Sequence, residues 1–107
     1  SDQSWLEARN LIYQERRDIV LKALRQIGFE VDTPPAAIYV WAHLPQGETD
    51  SIQFCDRLLQ ETGVSTTPGV VYGKHGEGYV RISLGTETDR IRQAMERVIA
   101  WYEKKQS

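Results

Sequence analysis

Gly76-Glu77-Gly78-Tyr79-Val80-Arg81-Ile82-Ser83-Leu84 is the stretch that decides the fold. Strand side chains alternate between faces, so Val80, Ile82 and Leu84 line one side and Tyr79, Arg81 and Ser83 the other. An aliphatic face of this kind predicts a strand packed on one side only. Arg81 stands in the middle of the opposite side, where an arginine needs a partner if it is to be buried. A planar guanidinium held beside aromatic and hydroxyl groups suits bidentate recognition of a carboxylate or a phosphate. The plainer alternative is a structural ion pair with a surface carboxylate.

Outward from this strand, the periodicity supplies the rest of the domain. Downstream, a helix is predicted to start between Thr86 and Thr88 and to bury Ile91, Ala94, Met95, Val98 and Trp101. Upstream, Gly73, Gly76 and Gly78 predict a flexible hairpin connection from a short strand at Val70-Val71-Tyr72, itself preceded by a Pro68-Gly69 turn. A helix is predicted from Asp50, as N-cap with Gln53 in the reciprocal position, to Gly63. Its apolar stripe is Ile52, Cys55, Leu58 and Leu59. Residues 37–42 predict a strand with Tyr39 and Trp41 on one face and Ile38 and Val40 on the other, entered through the stiff Thr33-Pro34-Pro35.

The first element is a helix over 4–27, stopped by Gly28. At about 1.5 Å per residue it would reach about 35 Å, against a radius of gyration near 13 Å for a domain of about 100 residues. Trp5 and Leu6 are therefore expected to overhang the domain, which points to missing protein upstream. The order helix, strand, helix, strand, strand, helix predicts a small two-layer α/β sandwich of about three strands with helices on one face. The uncovered face would carry Tyr39, Trp41, Tyr79, Arg81 and Ser83, a surface made to meet something.

With 107 residues the chain fits one domain, 1–107. A net charge of −2 gives no basic footprint for nucleic acid. No apolar run approaches about 18 residues, so no transmembrane span is expected. Neither a signal-peptide pattern nor a second cysteine to pair with Cys55 is present, and the expected location is cytoplasmic.

Several stretches carry a likeness to a known family: Tyr13-Gln14-Glu15-Arg16-Arg17-Asp18, then Pro35-Ala36-Ala37-Ile38-Tyr39-Val40-Trp41 and Phe54-Cys55-Asp56-Arg57-Leu58-Leu59. Gly63-Val64, Pro68-Gly69 and the Arg81 strand complete it in the same order and spacing. Together they resemble the C-terminal small domain of fold-type I, class I/II (aspartate-aminotransferase-like) aminotransferases, nearest the LL-diaminopimelate aminotransferase-like subgroup. The resemblance implies that Arg81 binds the substrate α-carboxylate. It implies pyridoxal phosphate in the parent enzyme, an amino acid and a 2-oxo acid as substrates, and a homodimeric parent. It also implies that helix 4–27 leads in from a missing large domain. The cofactor lysine of that family lies in a serine-rich motif. The four lysines here, Lys22, Lys74, Lys104 and Lys105, match none of it. No catalytic or cofactor-binding residue is therefore expected in this chain, which alone would not transaminate.

Other candidates are weaker. Tyr39, Trp41 and Tyr79 are expected to pack rather than touch substrate. Arg16, Arg17 and Asp18 are expected as exposed helix charges or as pairs across a domain boundary. Lys74 and His75 sit in a glycine-rich loop with no helix N-terminus behind it, so no phosphate cradle forms. His43 has no acidic partner at a recognisable spacing, and no Cys/His cluster has metal-ligand spacing. Cys55 is expected as a buried small hydrophobe. A rival in another class is a stand-alone binding module using the Arg81 and aromatic face. An autonomous small enzyme lacks any acid, base and nucleophile constellation.

Overall fold

The computed structural model describes residues 3–31 and 38–106. The elements are α1 (Ser4–Gln26), β1 (Tyr39–His43), α2 (Ser51–Thr62), β2 (Thr67–Pro68), β3 (Tyr79–Ser83) and α3 (Thr88–Gln106). Two 3-10 turns, Gly69–Tyr72 and Lys74–Gly76, lie between β2 and β3. Thr33-Pro34-Pro35 and Ala37 fall outside the described residues.

The three strands form an antiparallel sheet in the order β1-β3-β2, so the Arg81 strand is the middle one. Trp41 of β1 and Thr67 of β2 stand opposite Arg81 on its two sides. Val40, Ala42, Val80 and Ile82 face the helices and are buried with Val20, Leu24, Met95 and Val98 in one core. The uncovered face carries Tyr39, Trp41, Tyr79, Arg81 and Ser83, as the alternation predicts. Val31 bridges to Ala42 along the outer side of β1.

Only the C-terminal half of α1 is buried, through Val20, Leu21, Ala23 and Leu24. Trp5, Leu6, Leu11 and Ile12 are exposed on the other half, and the molecule measures 50 × 30 × 21 Å. Gly28, at φ 90°, ends α1 in the left-handed region that glycine adopts without strain.

Four expectations need correction. The strand expected at Val70-Val71-Tyr72 is instead the first 3-10 turn, and the residues that pair with β3 are Thr67 and Pro68. The cause is steric. A Cβ on Gly69 would collide with the backbone carbonyl of Gly76 and lie 2.7 Å from that of Tyr79. The two glycines thus pack backbone to backbone, and the chain folds into turns instead of extending. The α2 stripe is rotated as well. Ser51, Phe54, Cys55 and Leu58 are buried, while Ile52 and Leu59 are 50% and 47% exposed. Ile38 does not join Val40 in the core. It precedes β1 and is exposed, its carbonyl accepting from Leu84 N–H at 2.8 Å. On α3, Ile91, Met95 and Val98 are buried, but Ala94 and Trp101 are only partly covered at the core's margin.

Candidate functional site

Arg81 occupies the centre of the open sheet face, and its guanidinium lies over two rings. The guanidinium carbon is 3.9 Å from the centroid of Tyr39 and 4.9 Å from that of Tyr72. Tyr39 is fixed by strand pairing with Ser83. Tyr72 arrives from the first 3-10 turn, closed by Gly73 N–H donating to Val70 O at 3.0 Å. Trp41 meets Tyr72 edge to face, with centroids 5.3 Å apart. Arg81 makes no ion pair among the described residues, and its Nε is buried without a hydrogen-bond acceptor. Cation–π contact with the two rings leaves the N–H donors of its terminal nitrogens available to a planar acceptor.

The loop leading into β3 is tied down by Glu77. Ser51, fully buried at the start of α2, donates its N–H to Glu77 Oε1 at 2.7 Å and its hydroxyl to Oε2 at 3.2 Å. Asp50 accepts from Gln53 N–H at 3.0 Å, so two carboxylates serve the N-terminus of α2, where a negative charge is favourable. Glu77→Ala strands both Ser51 donors in the interior. The expected cost is about 1–3 kcal/mol, read as a lower melting temperature of the chain. Glu77→Gln, which keeps an acceptor oxygen, should cost less.

At the far end of β3, Arg16 performs the equivalent anchoring. Its Nε donates to Thr88 Oγ1 and its Nη1 to Leu84 O, both at 3.0 Å. Arg16 is therefore a half-buried brace between α1 and the β3–α3 connection, not an exposed helix charge. Arg17 and Asp18 pair with each other at 3.4 Å.

The remaining sequence candidates lie apart from this arrangement. His43 packs against Tyr79, with ring centroids 4.3 Å apart, at the end of the sheet. Lys74 and His75 are exposed on the second 3-10 turn. No group of three or more His, Cys, Asp or Glu residues able to hold a metal occurs among the described residues. Among the described residues no helix is long and apolar enough to cross a membrane. Cys55 is buried, and Thr66 donates its hydroxyl to Sγ at 3.1 Å. Burial pushes the thiol pKa up, the Thr66 hydrogen bond partly offsets this, and the Asp56 charge adds to the rise. Because the folded pKa is raised, the stability tied to the protonated thiol is intact below the unfolded thiol's pKa. It is lost as pH climbs through the folded value, in the alkaline range. At neutral pH Cys55 should resist alkylation by iodoacetamide until the chain unfolds, which mass spectrometry of timed samples would show.

Two residues at the site escaped the sequence reading. The strand pattern gives Tyr72 no role, and its only signal is an aromatic side chain set between turn glycines. Glu77 sits between Gly76 and Gly78, and nothing local marks it as the partner of a serine 26 residues earlier.

All four lysines are exposed: Lys22 on α1, Lys74 on the second 3-10 turn, and Lys104 and Lys105 on the last turns of α3. Lys105 lies over Trp101 at 5.0 Å and 3.7 Å from Glu61. A lysine that holds a cofactor covalently must be enclosed and its charge suppressed, and none of these four is enclosed by the residues of this chain.

Comparison with known proteins fits this geometry. Residues 1–98 match the family model for aminotransferase class I and II. The chain is 49% identical over 90 residues to an LL-diaminopimelate aminotransferase of Natranaerobius thermophilus, covering 84% of this chain and 23% of that protein. A second relative of the same name, from Maridesulfovibrio salexigens, is 51% identical over 87 residues, with 81% and 22% covered. Among solved structures, the aromatic aminotransferase from Pyrococcus horikoshii aligns with a TM-score of 0.86 and 33% identity over 99% of this chain and 29% of that one. The chain thus spans less than a quarter of the length of these two curated relatives. The match along most of its length and the shared fold make the chain a member of the class I and II aminotransferase family.

Proposed function

We propose that this chain is the C-terminal small domain of a pyridoxal-phosphate-dependent aminotransferase, and that Arg81 binds the α-carboxylate of the amino-acid or 2-oxo-acid substrate. The observation that carries this is the state of Arg81. A central-strand arginine with a buried, unpartnered Nε and no ion pair is a poor device for stability. The same arginine, in cation–π contact with Tyr39 and Tyr72, presents a flat, charged donor edge suited to a carboxylate. The structural ion pair has no partner among the described residues. The stand-alone binding module is disfavoured by the family match along the chain.

In this mechanism the residues here do one task. Arg81 fixes the substrate's carboxylate, and so the orientation of its Cα, at the open sheet face. Glu77 and Arg16 anchor the two ends of the strand that carries it. The exposed lysines leave the cofactor and its chemistry to the remainder of the parent, and this chain alone does not transaminate. Steady-state kinetics of the intact parent carrying Arg81→Lys test the proposal. A loss of kcat/KM with every amino-acid substrate supports it, because lysine keeps the charge and loses the fork. Unchanged kinetics would leave Arg81 a structural residue.

A further inference from the structure

Among the described residues no hydrogen bond fixes the rotation of the Arg81 guanidinium, and its Nε is buried without an acceptor. Its aromatic neighbours among the described residues are Tyr39 and Tyr72. One ring, Tyr39, is carried on β1, where its backbone pairs with Ser83. The other, Tyr72, is carried on a 3-10 turn, is 50% exposed, and is propped by the edge of Trp41. That turn is seated by the contact between Gly69 and Gly76, which admits no side chain on either.

From this we infer that Tyr72 is a positioning residue for carboxylate recognition. It acts through Arg81, holding the guanidinium in the plane in which its terminal N–H donors meet a carboxylate end on, and it contributes its ring face and not its hydroxyl. The inference rests on the carboxylate-binding role of Arg81. Without Tyr72 the guanidinium keeps its charge and one ring, but each binding event must first order it.

The test uses the intact holoenzyme of the parent with Tyr72→Phe, Tyr72→Leu, Tyr72→Ala and, separately, Arg81→Ala. Three quantities are read: KM and kcat for an amino-acid substrate, the inhibition constant of a simple monocarboxylate such as propionate, and the rate with an alkylamine that lacks a carboxylate. Tyr72→Ala and Tyr72→Leu should raise KM and the propionate inhibition constant by about tenfold, the scale of a partly desolvated cation–π contact. The same variants should leave kcat and the alkylamine rate within about twofold. Tyr72→Phe should restore both constants to near the unsubstituted values. Tyr72→Leu fills the position without a π-face, so its result stands even if the alanine variant folds poorly. Equal losses in the Phe and Leu variants, or a parallel loss with the alkylamine, would overturn the inference. If Arg81→Ala weakens propionate while Tyr72→Leu does not, this inference alone fails. If Arg81→Ala leaves propionate unaffected, the carboxylate role of Arg81 fails and the inference falls with it.

Discussion

Arg81→Ala in the intact parent should lower kcat/KM for amino-acid substrates by about 10²- to 10⁴-fold. Two charge-assisted hydrogen bonds to a carboxylate contribute about 1.5–3 kcal/mol each, and about 1.4 kcal/mol corresponds to a factor of ten. Arg81→Lys should lose about tenfold or more, since a point charge replaces a planar fork. Stability should behave differently. The substitution removes stacking with Tyr39 and Tyr72, which contributes about 0.5–2 kcal/mol. It also removes a buried Nε with no acceptor, which costs about 1–3 kcal/mol. The two offset each other, so the melting temperature should stay near that of the unsubstituted protein. An activity loss with an unchanged melt separates a binding residue from a structural one. A large fall in both would assign Arg81 to the fold.

Phe54→Ala should be the most damaging single change to folding. Phe54 is 1% exposed. Its ring meets Phe29 at 5.9 Å and Trp101 at 5.8 Å, both edge on, and Arg57 lies 5.8 Å from its centroid. It therefore joins α2 to the segment after α1 and to the C-terminal half of α3. Truncating such a side chain costs about 3–5 kcal/mol, a large part of the roughly 5–15 kcal/mol that holds a domain folded. Thermal or urea unfolding of the chain would show it as a large drop or as no cooperative transition at all. Ile52→Ala and Leu59→Ala, on the exposed side of the same helix, should each stay within about 0.5 kcal/mol. The reverse ranking would put Ile52 and Leu59 in the core.

That contrast also marks where the sequence was legible. The two long strands alternate cleanly, so Val80, Ile82, Val40 and the open face with Arg81 could be assigned from period two alone. In α2, however, apolar residues occur on more than one face: Ile52, Phe54, Cys55, Leu58 and Leu59. The buried side is settled by Ser51, a polar residue that no hydrophobic pattern selects and that Glu77 satisfies from a distant loop. The turns between β2 and β3 were illegible for a related reason. Val70, Val71 and Tyr72 have strong strand propensity, but a glycine-to-glycine contact overrides it, and that contact exists only once β3 is in place. Arg81 itself was visible as a charge in an apolar strand. Its companion Tyr72 was not, because the stacking depends on that same turn.

The middle place of β3 in the sheet has one more consequence. Its amides pair on both sides around Val80 and Arg81, so hydrogen exchange there requires the sheet itself to open. Gly69–Tyr72 is a 3-10 turn on which Val71 and Tyr72 are exposed. The charge thus rides on a strand paired on both sides, and one of the two rings beside it rides on a turn outside the sheet.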